Sequence, residues 1–354
     1  MGSCRPNSRA RRSPLAWVVL AAVSACHPPT ATVVARIATG AEASPSALEL
    51  DASGGALVTA SREKSNVTVW AGPFTSSTPA FDRGASGTLG VVAFASPDVV
   101  FVATEGGAVN EWNWKTGSTD FEHKFFGSAL AARSADGRYI AFGGEVYDRK
   151  TGRAESPARV AEQSALEFSA DGTRLLSASF HDRTLLVRTL PPGAGSAAQE
   201  WHARGDVRRA AISPRGDRVV AALRGDDIEV WRLPSLATSA SWSANDLVVD
   251  LAFLTDDARV VVADQSGVEV HDATTGQRTF RGDFDGKLGA FSVDGDIAAA
   301  GTLTGELVVW NLVQGKVLAR ARLASSRIAQ ISVRASVRRL AVADQVGTLT
   351  ILAW

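Results

Sequence analysis

Side chains able to bind a metal or to carry out acid–base catalysis are few in this sequence, and they follow no recognised spacing. Aspartates occur in close pairs such as Asp226 with Asp227, but neighbours within one turn do not place two carboxylates in different environments of one cleft. No G-x-S-x-G elbow, P-loop or dinucleotide fingerprint stands in a suitable context. No pair at the H-x-x-x-H interval occurs among the five histidines, which are His27, His123, His181, His202 and His271. The sequence therefore predicts no catalytic residue, metal or cofactor.

The only cysteines are Cys4 and Cys26, both close to the first residue. Basic residues, an apolar run over 15–23 and small residues leading to Cys26 follow the pattern of a signal peptide. Because a helix needs about 20 apolar residues to cross a bilayer, the run is too short for a permanent span. Residues 23–26 (VSAC) resemble the bacterial lipobox. That resemblance implies cleavage before Cys26, so that residues 1–25 are the signal peptide, and lipidation of Cys26.

Lipidation of Cys26 limits the chemistry and the location of the protein. A single remaining cysteine at the new N-terminus leaves no disulfide, thiol catalyst or cysteine-rich metal site. From Cys26 onward, 33 basic residues face 37 acidic ones without a basic block, which disfavours both nucleic acid and anionic lipid headgroups as partners. His27 stands where an Asp would signal retention at the inner membrane. We therefore expect an outer-membrane lipoprotein that faces the periplasm, with residues 26–31 as a short tether.

A short apolar strand recurs about every 40 residues along the rest of the chain. Each recurrence continues in the order of a four-stranded propeller blade, whose strands are called a, b, c and d. SADG turns at 134–137 and 169–172 follow strand a, where Asp bonds its own backbone and Gly accepts a positive φ. The equivalent a-strand residues are taken as Leu50, Phe94, Ala132, Phe168, Ile212, Phe253, Phe291 and Ile331.

Strand c of most units ends in an aromatic residue, and a tight turn such as KTG at 115–117 leads into strand d. Because these residues recur once per unit, packing between blades is their expected role. His271 takes the same place and is expected to be a core residue. The eight c-strand residues are Trp70, Trp112, Tyr147, Arg188, Trp231, His271, Trp310 and Leu352.

The SADG turns, the period and the Trp-Asn or Tyr-Asp pairs at 310–311, 112–113 and 147–148 resemble the WD40 family over residues 32–354. No Gly-His pair opens a unit, and the Asp that the family keeps before strand c is mostly missing. The family's Asp-His-Ser-Trp hydrogen-bond tetrad is therefore not expected, and apolar packing should hold the blades together. A quinoprotein-like propeller is the closest alternative, because HDATTGQRTF (271–280) also suits that family.

The eighth unit reaches Trp354 directly after its c strand and lacks a d strand of its own. Residues 33–37 (VVARI) match the d strand VLARARL at 317–323. Joining the N-terminal segment to the last blade closes the ring and removes two open sheet edges. The sequence predicts an all-β fold, a β-propeller of eight four-stranded blades closed by an N-terminal strand, with seven blades as the alternative.

The anchor and the lack of a catalytic constellation favour a non-catalytic scaffold of the bacterial cell envelope whose partner is another protein. One alternative is a propeller hydrolase or lactonase, whose site would lie where the central channel opens. Another is a relative of the eight-bladed propeller lipoprotein that takes part in outer-membrane β-barrel assembly. These alternatives rest on the fold, which does not by itself determine function.

Alternating strand direction places the b–c turns and the d–a connections on one face and the c–d turns on the other. Because Val33 begins a d strand, a short tether is expected to hold the c–d turns toward the membrane. A protein partner would then meet the opposite face. The residues expected there are Arg62, Glu63, Phe126, His181, Arg183, Trp201, Arg224 and Asp226.

Overall fold

The computed structural model describes residues 30–39, 44–126, 130–155, 162–191, 198–323 and 327–354. Cys26 and the predicted signal peptide lie outside the described residues. Within these ranges the chain forms eight antiparallel sheets of four strands each, and the one helical element is a 3₁₀ turn at Ala335–Val337. No helix in the described part of the chain is long and apolar enough to span a membrane. The predicted all-β propeller of eight blades is confirmed.

Blades 1 to 4 take their four strands from consecutive parts of the chain, in the order a to d. Blade 1 contains β2 (Ala47–Leu50), β3 (Ala56–Ser61), β4 (Asn66–Ala71) and β5 (Phe81–Gly84). Blade 2 contains β6 (Leu89–Ser96), β7 (Val99–Thr104), β8 (Ala108–Asn113) and β9 (Thr119–Lys124). Blade 3 contains β10 (Ala131–Arg133), β11 (Tyr139–Phe142), β12 (Glu145–Asp148) and β13 (Arg153–Glu155). Blade 4 contains β14 (Gln163–Phe168), β15 (Arg174–Ser179), β16 (Thr184–Thr189) and β17 (Gln199–His202).

Blades 5 to 7 repeat this order, and blade 8 completes itself with the strand nearest the N-terminus. Blade 5 contains β18 (Val207–Ile212), β19 (Arg218–Leu223), β20 (Asp227–Arg232) and β21 (Ala237–Ser243). Blade 6 contains β22 (Val248–Phe253), β23 (Arg259–Asp264), β24 (Gly267–Asp272) and β25 (Arg278–Gly282). Blade 7 contains β26 (Leu288–Asp294), β27 (Ile297–Thr302), β28 (Glu306–Asn311) and β29 (Lys316–Arg322). Blade 8 contains β30 (Ile328–Arg334), β31 (Arg339–Asp344), β32 (Thr348–Ala353) and β1 (Thr32–Ala38).

The c-strand alignment made from the sequence holds in every blade. Trp70, Arg188 and Leu352 each pair with the equivalent residue of their b strand, as do the other five c-strand residues. The a-strand alignment is wrong in three blades. Opposite those same b-strand residues the structure places Arg133, Val293 and Val333, where the sequence alignment had Ala132, Phe291 and Ile331. Because side chains alternate with a period of two, the two-residue slips in blades 7 and 8 keep the alternation and leave little trace in the sequence. The one-residue slip in blade 3 exchanges the two faces of a strand of only three residues, which is too short to show a clear alternation.

Strand a of each blade contacts strand a of the next, all the way round the ring, so these strands are innermost and line a central channel. Eight apolar clusters fill the spaces between neighbouring blades. Trp310, for example, is 1% exposed in the cluster between blades 6 and 7. The indole of Trp70 donates to the Thr59 hydroxyl at 3.3 Å, which is one part of the family tetrad. Apolar packing nevertheless supplies most of the contact between blades.

Strand β1 closes the ring as its sequence predicted, pairing antiparallel with β32 from Thr32 opposite Ala353 to Ala38 opposite Thr348. Ile37 is 2% exposed and packs between blades 8 and 1. Thr30, before this strand, forms a parallel bridge with Arg320 in the middle of β29. The chain therefore reaches β1 along the outer edge of blade 7 and not from the c–d turns. This course removes the reason for expecting those turns to face the membrane.

Candidate functional site

Four surfaces organise the side chains that could bind a ligand. The a strands line the channel, and the d strands form the rim of the disc. The b–c turns and d–a connections form one flat surface, named the b–c face. The a–b and c–d turns form the opposite surface, named the a–b face.

Large apolar side chains exposed to solvent concentrate on the b–c face. Among the described residues, seven such side chains are exposed, and four of them belong to this face. Of the other three, Val33 and Val34 lie on the rim strand β1 and Val313 lies on the a–b face. Contiguous exposed apolar side chains are typical of interaction sites. The four form two groups, one in the d–a connection between blades 2 and 3 and one in the b–c turns of the adjacent blades 7 and 8. The four on the b–c face are Phe126 at 79%, Leu130 at 38%, Leu303 at 41% and Val346 at 61% exposure.

Arg62, in the first b–c turn, stands between two cavities of the b–c face. One has a volume of about 370 Å³ and reaches the start of the a strands of blades 3 and 4, where Leu130 and Glu162 line it. The other, about 900 Å³, opens between blades 8 and 1 and is lined by Glu63 and Asp82 among others. The Arg62 guanidinium donates to Glu105 at 2.9 Å across the boundary of blades 1 and 2.

The first cavity also connects Arg62 to His181. The imidazole of His181, in the b–c turn of blade 4, lies 3.2 Å from the Glu162 carboxylate, and both side chains are more than 60% exposed. Glu162 borders the cavity that Arg62 lines. Of the predicted site residues, Arg62 therefore lines this cavity, and His181 contacts it only through Glu162, a glutamate that the sequence did not single out.

A second group of predicted residues meets at blades 4 and 5. Arg183 and Arg224 both approach the Asp206 carboxylate, at 3.3 and 3.6 Å, and Arg208 approaches Asp226 at 3.6 Å. Arg183 and Arg224 are 53% and 72% exposed, whereas Asp206 is 17% exposed. Ion pairs this open to water add little to stability, so they leave arginine donors free for a partner. We name Arg183, Asp206, Arg208, Arg224 and Asp226 the arginine cluster.

Among the described residues, three b–c turns end in a residue that has a side chain and a left-handed backbone: two of these residues belong to the arginine cluster, and the third is Ser65 of blade 1, with φ of 50°. The last residue of the b–c turn is glycine in blades 2 and 7, where Gly107 and Gly305 have φ of 87° and 85°. Arg183 and Asp226 occupy the same place in blades 4 and 5 with φ of 58° and 65°. A left-handed conformation costs a residue with a Cβ about 1 kcal/mol, and such strain collects at functional sites.

The predicted Trp201 does not reach the surface of the b–c face. Its side chain is 9% exposed, and its ring meets that of Trp231 edge-on with centroids 5.9 Å apart. As part of the rim strand β17 it fills the space between blades 4 and 5. Phe126 has the opposite environment and is the most exposed large apolar side chain of the described residues, next to Phe125, which is 1% exposed.

Sequence reasoning missed the carboxylates of the channel. Glu49, Glu167 and Asp250 stand on the innermost strands, and Glu167 accepts a hydrogen bond from the Ile212 amide at 3.1 Å. Burial among protein atoms raises the pKa of Glu167 to about 7, and the nearby Asp250 charge adds to this. Burial also raises the pKa of Asp250 and of Glu49, against the opposing charges of Arg209 and Arg334 respectively. The alternation in ALEFS (165–169) could have placed Glu167 on the channel side.

Replacing Glu167 with Gln should stabilise the protein at high pH only. A folded-state pKa above the unfolded one gives stability that is present below about pH 4.5 and lost as pH rises through about 7. Because the side chain still reaches channel water, we expect a gain of only about 1 kcal/mol at pH 8 and none at pH 4.5. Urea unfolding at pH 8 and at pH 4.5 measures this difference in the free energy of unfolding, with Glu63→Gln as an exposed control. An equal gain in stability at both pH values would contradict the prediction.

Metal-ligating groups do not converge anywhere in the described ranges, where no set of three or more His, Cys, Asp or Glu side chains could hold an ion. His271 is buried as expected, stacked on Trp242 with ring centroids 4.4 Å apart and 3.0 Å from Glu269. Glu269 also accepts from Arg278 and Arg281. This buried group supports blade 6 and faces no cavity described here.

Two solved structures share the fold of this chain. The computationally designed Ika8 protein superposes with a TM-score of 0.73 at 18% identity, covering 91% of this chain and 99% of that one. The C-terminal WD40 domain of Sif2 superposes with a TM-score of 0.73 at 12% identity, covering 93% and 99% respectively. No protein-family model and no curated protein matches the sequence. At these identities the similarity establishes the fold alone: the chain is an eight-bladed β-propeller of WD40-like architecture.

Proposed function

We propose that this protein is a non-catalytic interaction scaffold of the bacterial cell envelope, anchored through a lipid on Cys26, which captures another protein on its b–c face. The observation that carries the proposal is the concentration of exposed apolar side chains on that face, which also contains the arginine cluster. Aromatic and arginine side chains dominate the binding energy of protein interfaces. Phe126, Arg183 and Arg224 supply both types. WD40-like propellers commonly serve as such scaffolds, which supports the class of function but identifies no partner.

Site-specific photo-crosslinking in intact cells tests the proposal. A photoreactive amino acid at Leu303 probes the b–c face, and one at Val313 probes the a–b face with matched exposure, 41% against 42%. We expect a discrete adduct with another protein from Leu303 and from Phe126, and none from Val313. Adducts of equal yield from Val313 would overturn the assignment of the face.

The arginine cluster is tested in the same cells. Replacing Arg183 with Gly and Arg224 with Ala removes the two exposed guanidinium groups that approach Asp206, and glycine suits the left-handed backbone at position 183. The adduct from Phe126 should fall about tenfold, because one hot-spot arginine contributes about 1 to 2 kcal/mol. Lys115→Ala with Lys150→Ala on the a–b face is the control with the same charge change. A fall in the control as large as in the arginine variant would contradict the proposal.

A propeller hydrolase or lactonase is the second candidate, favoured by the three channel carboxylates with raised pKa. General acid catalysis near neutral pH requires such a carboxyl group. In the described residues the histidines lie on a b–c turn, a c strand or rim strands, and none lies on an innermost strand. Assay of ester and lactone hydrolysis by the protein and by Glu167→Gln with Asp250→Asn tests this function. Activity lost in the double variant would favour the enzyme over the scaffold.

A further inference from the structure

The rim of the propeller is electrostatically polarised. The d strands of blades 6, 7 and 8 (β25, β29 and β1) contain six basic residues and no acidic one. The d strands of blades 1 to 5 contain three basic and five acidic residues. The near-zero charge of the whole chain conceals this difference between two sectors. The six residues are Arg36, Arg278, Arg281, Lys316, Arg320 and Arg322.

Half of this basic sector is not neutralised. Arg278 and Arg281 pair with Glu269, and Arg320 pairs with Glu306 at 2.7 Å. No ion pair within the described ranges involves the other three, and their side chains are exposed. Val33 and Val34 add two exposed apolar side chains on β1, at 42% and 45%. We name Arg36, Lys316 and Arg322, together with Val33 and Val34, the basic rim.

The N-terminal end of the described chain lies within the basic rim. Thr30 bridges to Arg320 on β29, the middle of the three basic strands. Three residues separate Cys26 from Thr30, and the four steps of the chain between them, at 3.3 to 3.6 Å each, span at most about 14 Å. A lipid on Cys26 would therefore bring this sector, before any other part of the disc, to the headgroups of the membrane.

We propose that the basic rim is a membrane-docking surface for anionic phospholipid headgroups, so that the disc stands edge-on to the bilayer. This inference rests on the proposed lipid anchor for its cellular context. Lysine and arginine side chains close to an anionic surface are attracted to its negative potential, and the attraction is screened by salt. In this orientation the b–c face stands perpendicular to the membrane, and both faces of the disc remain open to partners.

Vesicle binding by the lipid-free protein separates this inference from the anchor. The chain from residue 26 with Cys26→Ala is mixed with vesicles of phosphatidylethanolamine and phosphatidylglycerol, and with vesicles of phosphatidylcholine. We expect sedimentation with the first, reversed by 0.5 M salt, and none with the second. Lys316→Glu with Arg322→Glu should lower the partition coefficient at least about 25-fold, since each basic residue near such a surface is worth about fivefold.

Lys150→Glu with Arg153→Glu is the matched control, because it makes the same charge change at the c–d turn and rim of blade 3. The control should bind as the parent does. Equal loss in both variants, or no anionic-vesicle binding by the parent, would overturn the basic rim as a docking surface. Circular dichroism of each variant checks that the propeller is folded. Photo-crosslinks on the b–c face do not depend on this result, so the two proposals can fail separately.

Discussion

Deleting strand β1 (Thr32–Ala38) is expected to abolish the closed monomeric propeller. The deletion leaves β32 as an open edge and removes Ile37 from the cluster between blades 8 and 1. Strand β1 belongs to the sheet of blade 8 and precedes blade 1 along the chain, so without it no strand connects the last blade to the first. Unpaired edges recruit other chains, so we expect oligomers or aggregates in size-exclusion chromatography.

The point substitution Ile37→Asp tests the same closure without shortening the chain. Ile37 is 2% exposed, and burying a carboxylate there adds to the several kcal/mol lost with the apolar side chain. Because natural domains are stable by about 5 to 15 kcal/mol, we expect a large fall in Tm or loss of folding. Val34→Asp, on the same strand with 45% exposure, is the control and should unfold near the parent Tm. An Ile37→Asp monomer with unchanged Tm would show that β1 does not close the ring.

Replacing Cys26 with Ala should remove the protein from the detergent-requiring membrane fraction almost completely. Each buried CH₂ of an acyl chain contributes about 0.8 kcal/mol, so two or three chains hold a protein far more firmly than charge does. If the basic rim docks on anionic lipid, a small fraction of the Cys26→Ala protein should remain on membranes at low salt and be released at high salt. Fractionation with salt and detergent washes distinguishes attachment through the lipid from attachment through the basic rim.

Continued detergent-requiring residence of the Cys26→Ala protein would contradict lipidation as the anchor. Cys4→Ala is the control, because it changes the other cysteine and should leave both processing and fractionation as they are. Metabolic labelling with a fatty-acid analogue gives an independent readout. Label should appear in the Cys4→Ala protein and not in the Cys26→Ala protein.

The architecture could be predicted from the sequence because the same pattern of buried residues recurs in each blade, as packing between neighbouring blades requires. Large c-strand residues recur once per blade and are buried against the preceding blade, which made Trp231 and Trp310 reliable markers. The similarity of residues 33–37 to residues 317–323 predicted that the N-terminal strand closes the ring. Both segments form d strands at the rim, next to the apolar b and c strands of their blades. The position of His271 in the core followed from the same alignment.

The surface could not be read in the same way, because it depends on which turns meet across blades. Arg183 and Arg224 were predicted to lie in b–c turns, as the structure has them, but their common carboxylate Asp206 belongs to a d–a connection that no repeat marks. Trp201 resembled a surface aromatic only because successive side chains of a rim strand alternate between packing against a neighbouring blade and facing solvent. The charge of the rim was hidden as well, since the six basic residues are spread over three distant strands.

The pairing of β1 with β32 also determines when the molecule can finish folding. The first strand of the ring to be made has its partner about 310 residues later in the sequence, which is a contact of very long range. While the chain is being made, blades 1 to 7 can therefore stack as an open arc before β32 is available to pair with β1. In that interval β1 is free to pair with β32 of another copy, which would exchange strands between two rings. Expression at high levels should thus favour strand-swapped dimers, and expression at low levels should favour closed monomers.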